Sequence, residues 1–288
     1  MKQTTMLRKL IQRKEILVAP GAFDALSAKL IEAIGFEAVY MTGFGTAAFH
    51  FAVPDIGLLT MTEMVENAKR ISDAVKIPVI ADADTGYGNH LNVMRTIEEY
   101  EKAGVAALHI EDQISPKRCG HMEGHKLIPV EDMVAKVRAA AALKMDEDFV
   151  LIVRTDAISA EGFDEAIHRG NIYKQAGADV IFLEAPQTIE QLEKIPKLID
   201  GPILVNVVRK IQNLHFKRFE EMGFAMAIYP AICLSACVIA LREKLLELSE
   251  KGIVKEWTDG EVTFHDLILD VLELKEYRDL EEQFLGKT

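Results

Sequence analysis

The stretch Pro78-Val79-Ile80-Ala81-Asp82-Ala83-Asp84-Thr85-Gly86-Tyr87-Gly88 decides how this chain folds. It begins with a short β-branched apolar run, typical of a buried strand, and continues into acidic and glycine-rich turn residues. Helical periodicity follows over Val93–Ala103, and Gly104 ends that helix before the next apolar run. The stretch therefore predicts one strand–loop–helix unit of an α/β protein.

The same unit recurs along the chain. Eight apolar runs are predicted as strands: Ile16–Ala19, Ala38–Thr42, Val79–Asp82, Ala107–Glu111, Val150–Arg154, Val180–Glu184, Ile203–Asn206 and Met226–Tyr229. Helical patterns separate them, and eight such units in a row match a (β/α)8 TIM-type barrel. A doubly wound sheet is the competing fold, but eight strands without a Gly-rich dinucleotide fingerprint would be unusual for it.

Length and composition favour one soluble domain. The net charge of −12 over 288 residues argues against a nucleic-acid surface. Three scattered cysteines do not make a disulfide framework. The N-terminus lacks the apolar core of a signal peptide, and no apolar run reaches the roughly 18 residues that span a bilayer. We therefore expect a cytoplasmic protein that binds neither nucleic acid nor membranes.

Residues 1–288 are predicted to form a single barrel domain with a helical extension over 234–288. Its two helical segments, Leu234–Lys251 and Phe264–Phe284, exceed what barrel closure requires, so we expect the extension to pack at a subunit interface. Two strand-to-helix connections are unusually long, Gly43–Thr60 and Asp112–Pro129. Both would lie on the C-terminal face, where such barrels build their sites.

Polar side chains follow most of the predicted strands. In chain order these strand-end residues are Tyr40 with Thr42-Gly43, Asp82 with Asp84, Glu111-Asp112, Arg154-Thr155-Asp156, Glu184 and Asn206. The carboxyl ends of all strands in a barrel meet at one mouth, so we expect these side chains to converge. Arg154 ends an apolar strand and requires a carboxylate partner from the protein or the substrate.

Asp82, Asp84 and Glu111 would crowd carboxylates into a small volume, because residues i and i+2 of a strand point to the same side. Like charges raise one another's pKa unless a cation compensates them. Oxygen ligands without paired thiolates favour Mg²⁺ or Mn²⁺ over zinc. We therefore predict a magnesium site, with manganese as the alternative. The competing interpretation is that each acid caps a helix or pairs with an arginine.

The run Lys117-Arg118-Cys119-Gly120-His121 places a thiol between cations and beside a histidine. Nearby positive charge stabilises a thiolate and lowers the thiol pKa, so Cys119 is a candidate acid or nucleophile. Cys119, His121 and His125 form an alternative zinc set, although zinc sites need a closed group of such ligands. His109, within the fourth strand, is as compatible with a structural hydrogen bond as with a function.

Together these motifs resemble the isocitrate lyase/phosphoenolpyruvate mutase superfamily. The matching blocks are Asp82–Gly88, His109-Ile110-Glu111-Asp112-Gln113, Lys117–His121, Arg154-Thr155-Asp156-Ala157 and Glu184-Ala185. The likeness runs over nearly the whole chain. Its Lys-Arg-Cys-Gly-His run implies the branch that cleaves carbon–carbon bonds, because the phosphorus–carbon branch lacks that cysteine.

The resemblance also implies roles for individual residues. It implies that Mg²⁺ is bound through Asp84, while Asp55, Asp82 and Glu111 reach the ion largely through water. The residues implied to hold the keto-acid half of the substrate are Tyr40, Thr42, Gly43 and Arg154; those implied to orient the other half are Glu184 and Asn206. The Gly43-Phe44-Gly45 turn is interpreted as a close backbone approach to the ligand.

A mobile gate is implied over 117–125, including Gly120, and it would close over the site and deliver Cys119 as the general acid. The expected catalytic residues are Cys119, Lys117, His121, Arg154 and Tyr40, and His121 is also expected to bind substrate. The resemblance further implies a homotetramer with exchanged C-terminal helices.

Two stretches depart from the family pattern. After Asn206 related lyases continue with an acidic residue, a glycine and a Thr-Pro pair, whereas this chain has Val207–Leu214 with two cations. Thr263-Phe264-His265 stands where methylisocitrate-cleaving members carry an arginine that helps to bind the tricarboxylate. A third carboxylate would lack its bidentate partner, which predicts a dicarboxylate substrate.

The predicted activity is Mg²⁺-dependent cleavage of a 2-hydroxy dicarboxylate such as 2,3-dimethylmalate to pyruvate and propionate. Phe182 is predicted to supply an apolar wall for a methyl group. The second candidate substrate is 2-methylisocitrate, giving succinate. The third reaction is oxaloacetate hydrolysis, whose enzymes tend to have serine where Ala157 follows Asp156. Phosphonopyruvate chemistry, and a barrel that binds a keto acid without turnover, are the remaining alternatives.

Overall fold

The computed structural model describes residues 1–120, 124–208, 211–253 and 264–285. Eight parallel strands close into a barrel in which each strand pairs with its neighbours in sequence and the eighth pairs with the first. Leu17–Pro20 and Met226–Tyr229 make this closing pair. The predicted (β/α)8 barrel is confirmed, and the doubly wound alternative is excluded because an open sheet would keep two unpaired edges.

Every predicted strand overlaps an observed one. The strands are β1 (Leu17–Ala22), β2 (Val39–Met41), β3 (Val79–Asp82), β4 (Ala107–Glu111), β5 (Val150–Thr155), β6 (Val180–Leu183), β7 (Ile203–Asn206) and β8 (Met226–Tyr229). The helices that accompany them are α1 (Gln3–Gln12), α2 (Ala25–Ile34), α3 (Gly43–Phe51), α4 (Met61–Ala74), α5 (His90–Lys102), α6 (Val130–Leu143), α7 (Ala157–Ala160), α8 (Phe163–Ala176), α9 (Ile189–Leu198) and α10 (Phe216–Met222). The last three helices are α11 (Ile232–Lys251), α12 (Phe264–Val271) and α13 (Leu274–Leu285).

Successive side chains along each strand point alternately outward and inward, so the strands contribute to two separate apolar clusters. The inward-pointing residues at the carboxyl ends of the strands are polar. On β5, Leu151 and Val153 pack outward beneath the helices, whereas Val150 and Ile152 belong to the cluster inside the barrel. Arg154 continues that inward series at the carboxyl end of the strand. The same parity directs the following residues inward: Tyr40, Asp82, His109, Glu111, Phe182, Glu184 and Asn206.

Three helices lie where no helix was predicted: the four-residue α7, α1 and α3. α1 precedes the first strand, and its Leu7 and Ile11 join the apolar cluster inside the barrel. α3 occupies the first half of Gly43–Thr60, which was predicted only as an unusually long strand-to-helix connection. Thr42 caps α3 by accepting a hydrogen bond from Gly45 N at 3.1 Å. Two glycines in its first turn obscured this helix in the sequence, because glycine has low helix propensity.

The chain forms two compact units, Met1–Leu234 and Ser235–Thr288. In the second unit, the helical region expected over Phe264–Phe284 consists of α12 and α13, and Glu273 between them has a left-handed φ of 57°. Among the described residues no helix is both long and apolar enough to cross a membrane. The single-domain description and the subunit-interface role of 234–288 remain predictions.

Candidate active site

A cavity of about 310 Å³ opens at the carboxyl ends of the strands. Its lining consists of Tyr40, Thr42, Phe44, Asp55, Asp82, Lys117, Cys119, Gly120, Arg154, Glu184, Asn206, Val208, Pro230 and Ala231. All but the last three were predicted as site residues. Three further predicted residues contact the lining from outside it: Gly43 bonds Asp82, Asp84 pairs with Lys117, and Glu111 pairs with Arg154. The predicted residue His121 lies outside the described part of the chain.

The turn after β3 holds two carboxylates on a strained backbone. Asp84 and Tyr87 adopt left-handed φ angles of 47° and 58°, which cost residues other than glycine roughly 1 kcal/mol or more each. The Tyr100 hydroxyl donates to Asp82 O at 2.9 Å and lies 3.1 Å from the Tyr87 hydroxyl. Asp84 N donates to Asp82 Oδ1 at 2.9 Å. These bonds hold the strained turn in one geometry.

Lys117 reaches from the connection between β4 and α6 into this carboxylate group. Its Nζ lies 2.9 Å from Asp84 Oδ1 and forms an ion pair with Asp55 Oδ1. Burial lowers the pKa of Lys117, but Asp84, Glu111, Asp82 and Asp55 together raise it well above its usual range. The ammonium therefore stays charged and serves as a counter-ion between two chain segments.

The positive charge of Lys117 does not fully compensate the negative charge of these carboxylates. Burial raises the pKa of Asp84 to about 6 against the attraction of Lys117, and the negative charge of Asp82 adds to the rise. Burial also raises the pKa of Glu111 well above its usual range, although Arg154 opposes this. In the described part of the chain, Glu111 Oε1 is buried and accepts no hydrogen bond, and Asp84 Oδ1 is buried with Lys117 as its partner. A further cation would compensate the negative charge and would give Glu111 Oε1 a partner, directly or through water.

Arg154 is the second buried cation of the site. Its Nε and Nη2 donate to Asp156 at 3.0 and 2.7 Å, and its Nη1 lies 3.2 Å from Glu111 and 3.7 Å from Glu184. Burial lowers the pKa of Arg154, but the three carboxylates raise it well above its usual range. A guanidinium has five N–H donors, so this fixed cation keeps donors for a ligand in the cavity.

Glu184 and Asn206 form a polar pair on the neighbouring strands. Asn206 Nδ2 lies 3.2 and 3.1 Å from the two carboxylate oxygens of Glu184. Asn206 Oδ1 is buried and accepts no hydrogen bond from the described residues. The pair therefore presents acceptors to a ligand hydroxyl or to a protonated carboxyl group.

Tyr40 is supported by His109, whose role the sequence left open. His109 Nε2 lies 2.8 Å from the Tyr40 hydroxyl and 3.6 Å from Asp82 Oδ1. Burial, reinforced by the charge of Arg154, lowers the pKa of His109 to about 3, so its ring is neutral. A hydrogen on Nε2 faces both oxygens and leaves the Tyr40 hydrogen available to a ligand. Burial, together with Asp82, raises the pKa of Tyr40 well above its usual range, so its hydroxyl stays a donor.

The described part of the connection between β4 and α6 contributes Lys117, Cys119 and Gly120 to the cavity lining. Cys119 N donates to Asp55 O at 3.1 Å. The Gln113 side chain makes two bonds of 2.9 Å to the backbone of Arg118. A Cβ added at Gly120 would come within 2.3 Å of Arg154 Nη2, so this close approach requires glycine. The gate predicted over 117–125 is described at 117–120 and 124–125, and Cys119 is the member whose thiol chemistry the sequence singled out.

Phe182 does not line the cavity, and its predicted role as a methyl-binding wall is wrong. Its side chain is 1 % exposed and packs inside the barrel, with the Arg154 guanidinium 5.4 Å above its ring. Phe182 and Glu184 are two residues apart, so both side chains point into the barrel, with Phe182 one layer further from the barrel mouth. Phe182 therefore packs beneath the cavity-lining residues instead of contacting a ligand. The apolar part of the lining instead consists of Phe44, Val208, Pro230 and Ala231.

Two acidic residues at strand ends have structural roles that the sequence left unassigned. Asp156 is the bidentate partner of Arg154, as its i+2 spacing would have suggested. Asp112 Oδ2 accepts from Thr155 Oγ1 at 2.7 Å and from the Tyr173 hydroxyl at 2.8 Å. Its Oδ1 accepts from Asp156 N at 3.0 Å. Asp112 therefore fixes the β5 end rather than facing the cavity, which only the side-chain contacts reveal.

The donor set fits a hard divalent cation better than zinc. Across 1–120, 124–208, 211–253 and 264–285, no three His, Cys, Asp or Glu side chains already meet as a closed ligand group. Both His125 ring nitrogens are engaged, by Cys119 O and by Ser159 Oγ at 3.0 Å each. This arrangement disfavours the zinc alternative. One carboxylate bound directly, with neighbours acting through water, is instead compatible with magnesium.

Known proteins resemble the chain in both sequence and structure. The phosphoenolpyruvate phosphomutase family model matches residues 7–249. 2,3-Dimethylmalate lyase of Eubacterium barkeri is 43% identical over 286 residues, 99% of either chain. 2-Methylisocitrate lyase of Aeropyrum pernix is 40% identical over 268 residues, 91% of this chain and 86% of its own. The structure of oxaloacetate acetylhydrolase with 3,3-difluorooxalacetate has a TM-score of 0.93 at 35% identity, covering 100% of this chain and 98% of its own. The chain therefore belongs to the phosphoenolpyruvate mutase/isocitrate lyase superfamily.

Proposed function

We propose that this carbon–carbon lyase cleaves a methyl-substituted 2-hydroxy dicarboxylate, such as 2,3-dimethylmalate, to pyruvate and propionate. One observation carries the proposal: Cys119, buried Arg154, the carboxylates Asp55, Asp82 and Glu184, and four apolar residues line the same cavity. The similarity to 2,3-dimethylmalate lyase over the full chain supports the same reaction.

The proposed reaction breaks the C2–C3 bond of the substrate. The C2 hydroxyl loses its proton and becomes the keto oxygen of pyruvate, while the electron pair of the broken bond passes to C3. The adjacent carboxylate delocalises this pair, and Cys119 donates its thiol proton to C3 to give propionate. The proton released from the hydroxyl balances the one that Cys119 donates.

The cations of the site suit the keto-acid half of the substrate. Arg154 is held by Asp156, which leaves donors for the C1 carboxylate. Tyr40 and Thr42, two hydroxyl-bearing residues, also line the cavity. Closure of the gate would exclude water and prevent premature protonation of the carbanion.

Asp84 is the proposed direct ligand of Mg²⁺, and Asp55, Asp82 and Glu111 are proposed to reach it largely through water; Mn²⁺ is the alternative ion. When bound, the ion supplies positive charge next to the oxygen that becomes negative on loss of its proton. The raised pKa of Asp84 and the buried Glu111 Oε1, which accepts no hydrogen bond from the described residues, support this assignment. Lys117 would then share Asp55 and Asp84 with the ion.

The apolar wall favours a methyl group over a third carboxylate. Phe44, Val208, Pro230 and Ala231 offer no side-chain donor, and Arg154 is the one arginine among the described lining residues. 2-Methylisocitrate is therefore the second candidate substrate. Oxaloacetate hydrolysis is the third, supported by the TM-score of 0.93 to oxaloacetate acetylhydrolase. Ala157, where those enzymes tend to have serine, is buried and is absent from the described lining.

The direct test is pyruvate release from 2,3-dimethylmalate, 2-methylisocitrate and isocitrate, with oxalate release from oxaloacetate measured in parallel. We expect the highest kcat/KM for 2,3-dimethylmalate, and reversible loss of activity on chelation with recovery after added Mg²⁺. A higher kcat/KM for one of the other substrates would replace the proposed substrate. Activity indifferent to chelator would refute the metal assignment.

Mg²⁺ affinity is expected to fall by about tenfold per pH unit below about pH 6, since a proton on Asp84 competes with the ion for its proposed direct ligand. The reason is the pKa of Asp84, which burial raises to about 6 in the metal-free protein. Because of the same pKa shift, the folded state binds a proton at Asp84 more tightly than the unfolded state does. Asp84 therefore contributes stability that is complete below the ordinary aspartate pKa and is lost as the pH rises through about 6. Calorimetric titration with Mg²⁺ from pH 5 to 8 measures the affinity, with Asp84→Asn as the control that should lose both binding and its pH dependence. Constant affinity down to pH 5 would contradict the assignment.

We also propose the homotetramer and the cytoplasmic location that the sequence predicted. The second unit supports assembly, because its part of α11 exposes apolar side chains along most of its length: Val238, Ile239, Leu241, Leu245, Leu246 and Leu248. Such a surface is typical of a subunit interface rather than of a solvated helix. Sedimentation velocity measures the assembled mass directly, and a monomer would refute the tetramer.

A further inference from the structure

Lys136 is a buried lysine that has no role in the proposed reaction. It lies in the second turn of α6, and its side chain is 6 % exposed. Its Nζ donates a hydrogen bond to Thr85 O at 2.9 Å. Burial lowers the pKa of Lys136, although the charges of Asp132, Asp112 and Glu111 oppose this. Burying a lysine is costly without a specific partner, and the partner here is a backbone carbonyl of the site.

The carbonyl of Thr85 belongs to the turn after β3. Thr85 directly follows Asp84, the proposed direct ligand of Mg²⁺. The turn has left-handed φ angles at Asp84 (47°), Gly86 (79°) and Tyr87 (58°). This conformation is strained for residues other than glycine, so the turn needs contacts from neighbouring elements to hold its shape.

Each of the five backbone carbonyls at positions 82–86 accepts a hydrogen bond. In the order of the carbonyls, the donors are the Tyr100 hydroxyl (2.9 Å), Gly86 N (2.9 Å), Glu111 N (2.9 Å), Lys136 Nζ (2.9 Å) and Thr96 Oγ1 (3.2 Å). Among these five donors, all within the described part of the chain, Lys136 is the one that comes from α6 and the one from a basic side chain. A hydrogen bond from a charged donor is about twice as strong as one from a neutral donor.

The Lys136 bond fixes the peptide that follows Thr85. The peptide before Thr85 contains the Asp84 carbonyl, which accepts from Glu111 N. Because each peptide is planar, fixing two successive peptides holds the backbone on the carboxyl side of Asp84. On the amino side, Asp84 N donates to Asp82 Oδ1 at 2.9 Å. The direction of the Asp84 carboxylate depends on this backbone.

Removal of the Lys136 ammonium would have two effects of opposite sign on a cation at Asp84. The ammonium is close enough to the site for the charge of Glu111 to act on it, so it also repels a cation there. Loss of this repulsion alone would strengthen Mg²⁺ binding. Loss of the hydrogen bond would instead let the turn relax and would weaken Mg²⁺ binding. The sign of the change therefore separates positioning from electrostatics.

We propose that Lys136 is a positioning residue that holds the turn after β3 in the shape in which Asp84 binds Mg²⁺. The proposal rests on the proposed function of Asp84 as the direct ligand. It assigns Lys136 no contact with the ion or the substrate, because Lys136 is absent from the described cavity lining and its ammonium binds a backbone carbonyl. Lys117 differs in this respect, since its ammonium pairs with the carboxylates themselves.

The test compares Lys136→Met and Lys136→Arg in the full-length protein by calorimetric titration with Mg²⁺ in the absence of substrate. Methionine keeps the apolar stem without a donor, whereas arginine keeps both the charge and N–H donors. We expect the Kd for Mg²⁺ to rise about tenfold in Lys136→Met, because the lost charge-assisted bond outweighs the lost repulsion. Lys136→Arg should stay within about threefold of the unaltered protein.

Lys174→Met is the matched control. Lys174 on α8 donates to Ala178 O at 3.0 Å, so the substitution removes a lysine–carbonyl bond of the same kind outside the described cavity lining. Its Kd for Mg²⁺ should change by less than about twofold. If Lys136→Met does not fold, Lys136→Gln takes its place, because its amide is neutral and polar; we expect its Kd to rise about threefold.

Hydrogen–deuterium exchange of the metal-free protein provides a second measurement that does not depend on the ion. The amides of Gly86 and Glu111 donate to carbonyls of the turn. We expect both amides to exchange about tenfold faster in Lys136→Met, while the amides of β6 keep their rates. A general loss of stability would instead accelerate exchange in β6 as well, and would contradict a local role.

The proposal would be overturned if folded Lys136→Met, or Lys136→Gln in its place, bound Mg²⁺ with unchanged or higher affinity. Repulsion by the ammonium would then be its main effect. Equal loss of affinity in Lys136→Arg and Lys136→Met would also overturn it, because a retained donor would then have no value. Failure of the proposed function looks different: Asp84→Asn would bind Mg²⁺ as tightly as the unaltered protein, yet exchange in the turn would still respond to Lys136→Met.

Discussion

Cys119→Ser is expected to lower kcat by about 10² to 10⁴, the range that a positioned general acid contributes. The substitution keeps the size of the side chain and replaces a thiol by a hydroxyl that is a much weaker acid. Cys119 lines the same cavity as Arg154 and the carboxylates, so its loss should affect proton donation to C3 and little else. Substrate KM and Mg²⁺ affinity should change by less than about threefold.

The matched controls are Cys233→Ser and Cys237→Ser, the same chemical change on α11, outside the described cavity lining. Both should keep near-normal kcat. Steady-state kinetics with 2,3-dimethylmalate and calorimetric titration with Mg²⁺ and pyruvate provide the measurements. Turnover of Cys119→Ser within about twofold of the unaltered protein would remove Cys119 from the proposed mechanism.

Arg154→Met is expected to abolish detectable turnover and to destabilise the protein by about 3–5 kcal/mol, because it leaves buried carboxylates without their cation. The guanidinium is bonded to Asp156 and pairs with Glu111 and Glu184, and all three carboxylates are buried. A loss of this size should lower Tm by roughly 6–20 °C. The destabilisation should be larger at pH 8 than at pH 5, since at low pH the abandoned carboxyl groups can be protonated.

Arg13→Met is the control for this change. Arg13 pairs with Glu37 at the surface, where the Glu37 side chain is 53% exposed, so the cost should be about 0–1 kcal/mol. Arg154→Lys separates charge from geometry: it should recover part of the stability but little activity, since an ammonium cannot reproduce the bidentate contact. Thermal unfolding that is unchanged in Arg154→Met would show that the three carboxylates do not depend on this arginine.

Local sequence patterns were sufficient to predict the barrel. Each strand is a short apolar run followed by turn residues. Glycines such as Gly35 and Gly223 take the left-handed conformation that ends a helix. The helix α3 was missed because glycine propensity argued against it, whereas the Thr42 cap and packing against the barrel stabilise it. Alternation of two residues per strand also predicted which strand-end residues share the mouth.

Long-range contacts decided how those residues work together. No local pattern shows that Lys117 pairs with Asp55 and Asp84, because the three residues come from three different connections. The depth of Phe182 beneath Arg154 depends on how the eight strands are staggered, which the sequence of one strand does not encode.

The sequence by itself determined the barrel, the family and most of the polar residues that surround the cavity, because strand and helix periods, turn chemistry and specific motifs are local properties of the chain. Only the tertiary structure decided the ion pairs, the apolar wall at Val208 and Ala231, and the contacts of His125 with Cys119 and Ser159. These depend on distances between segments far apart in the chain, and such distances are set by closure of the barrel and packing of its loops.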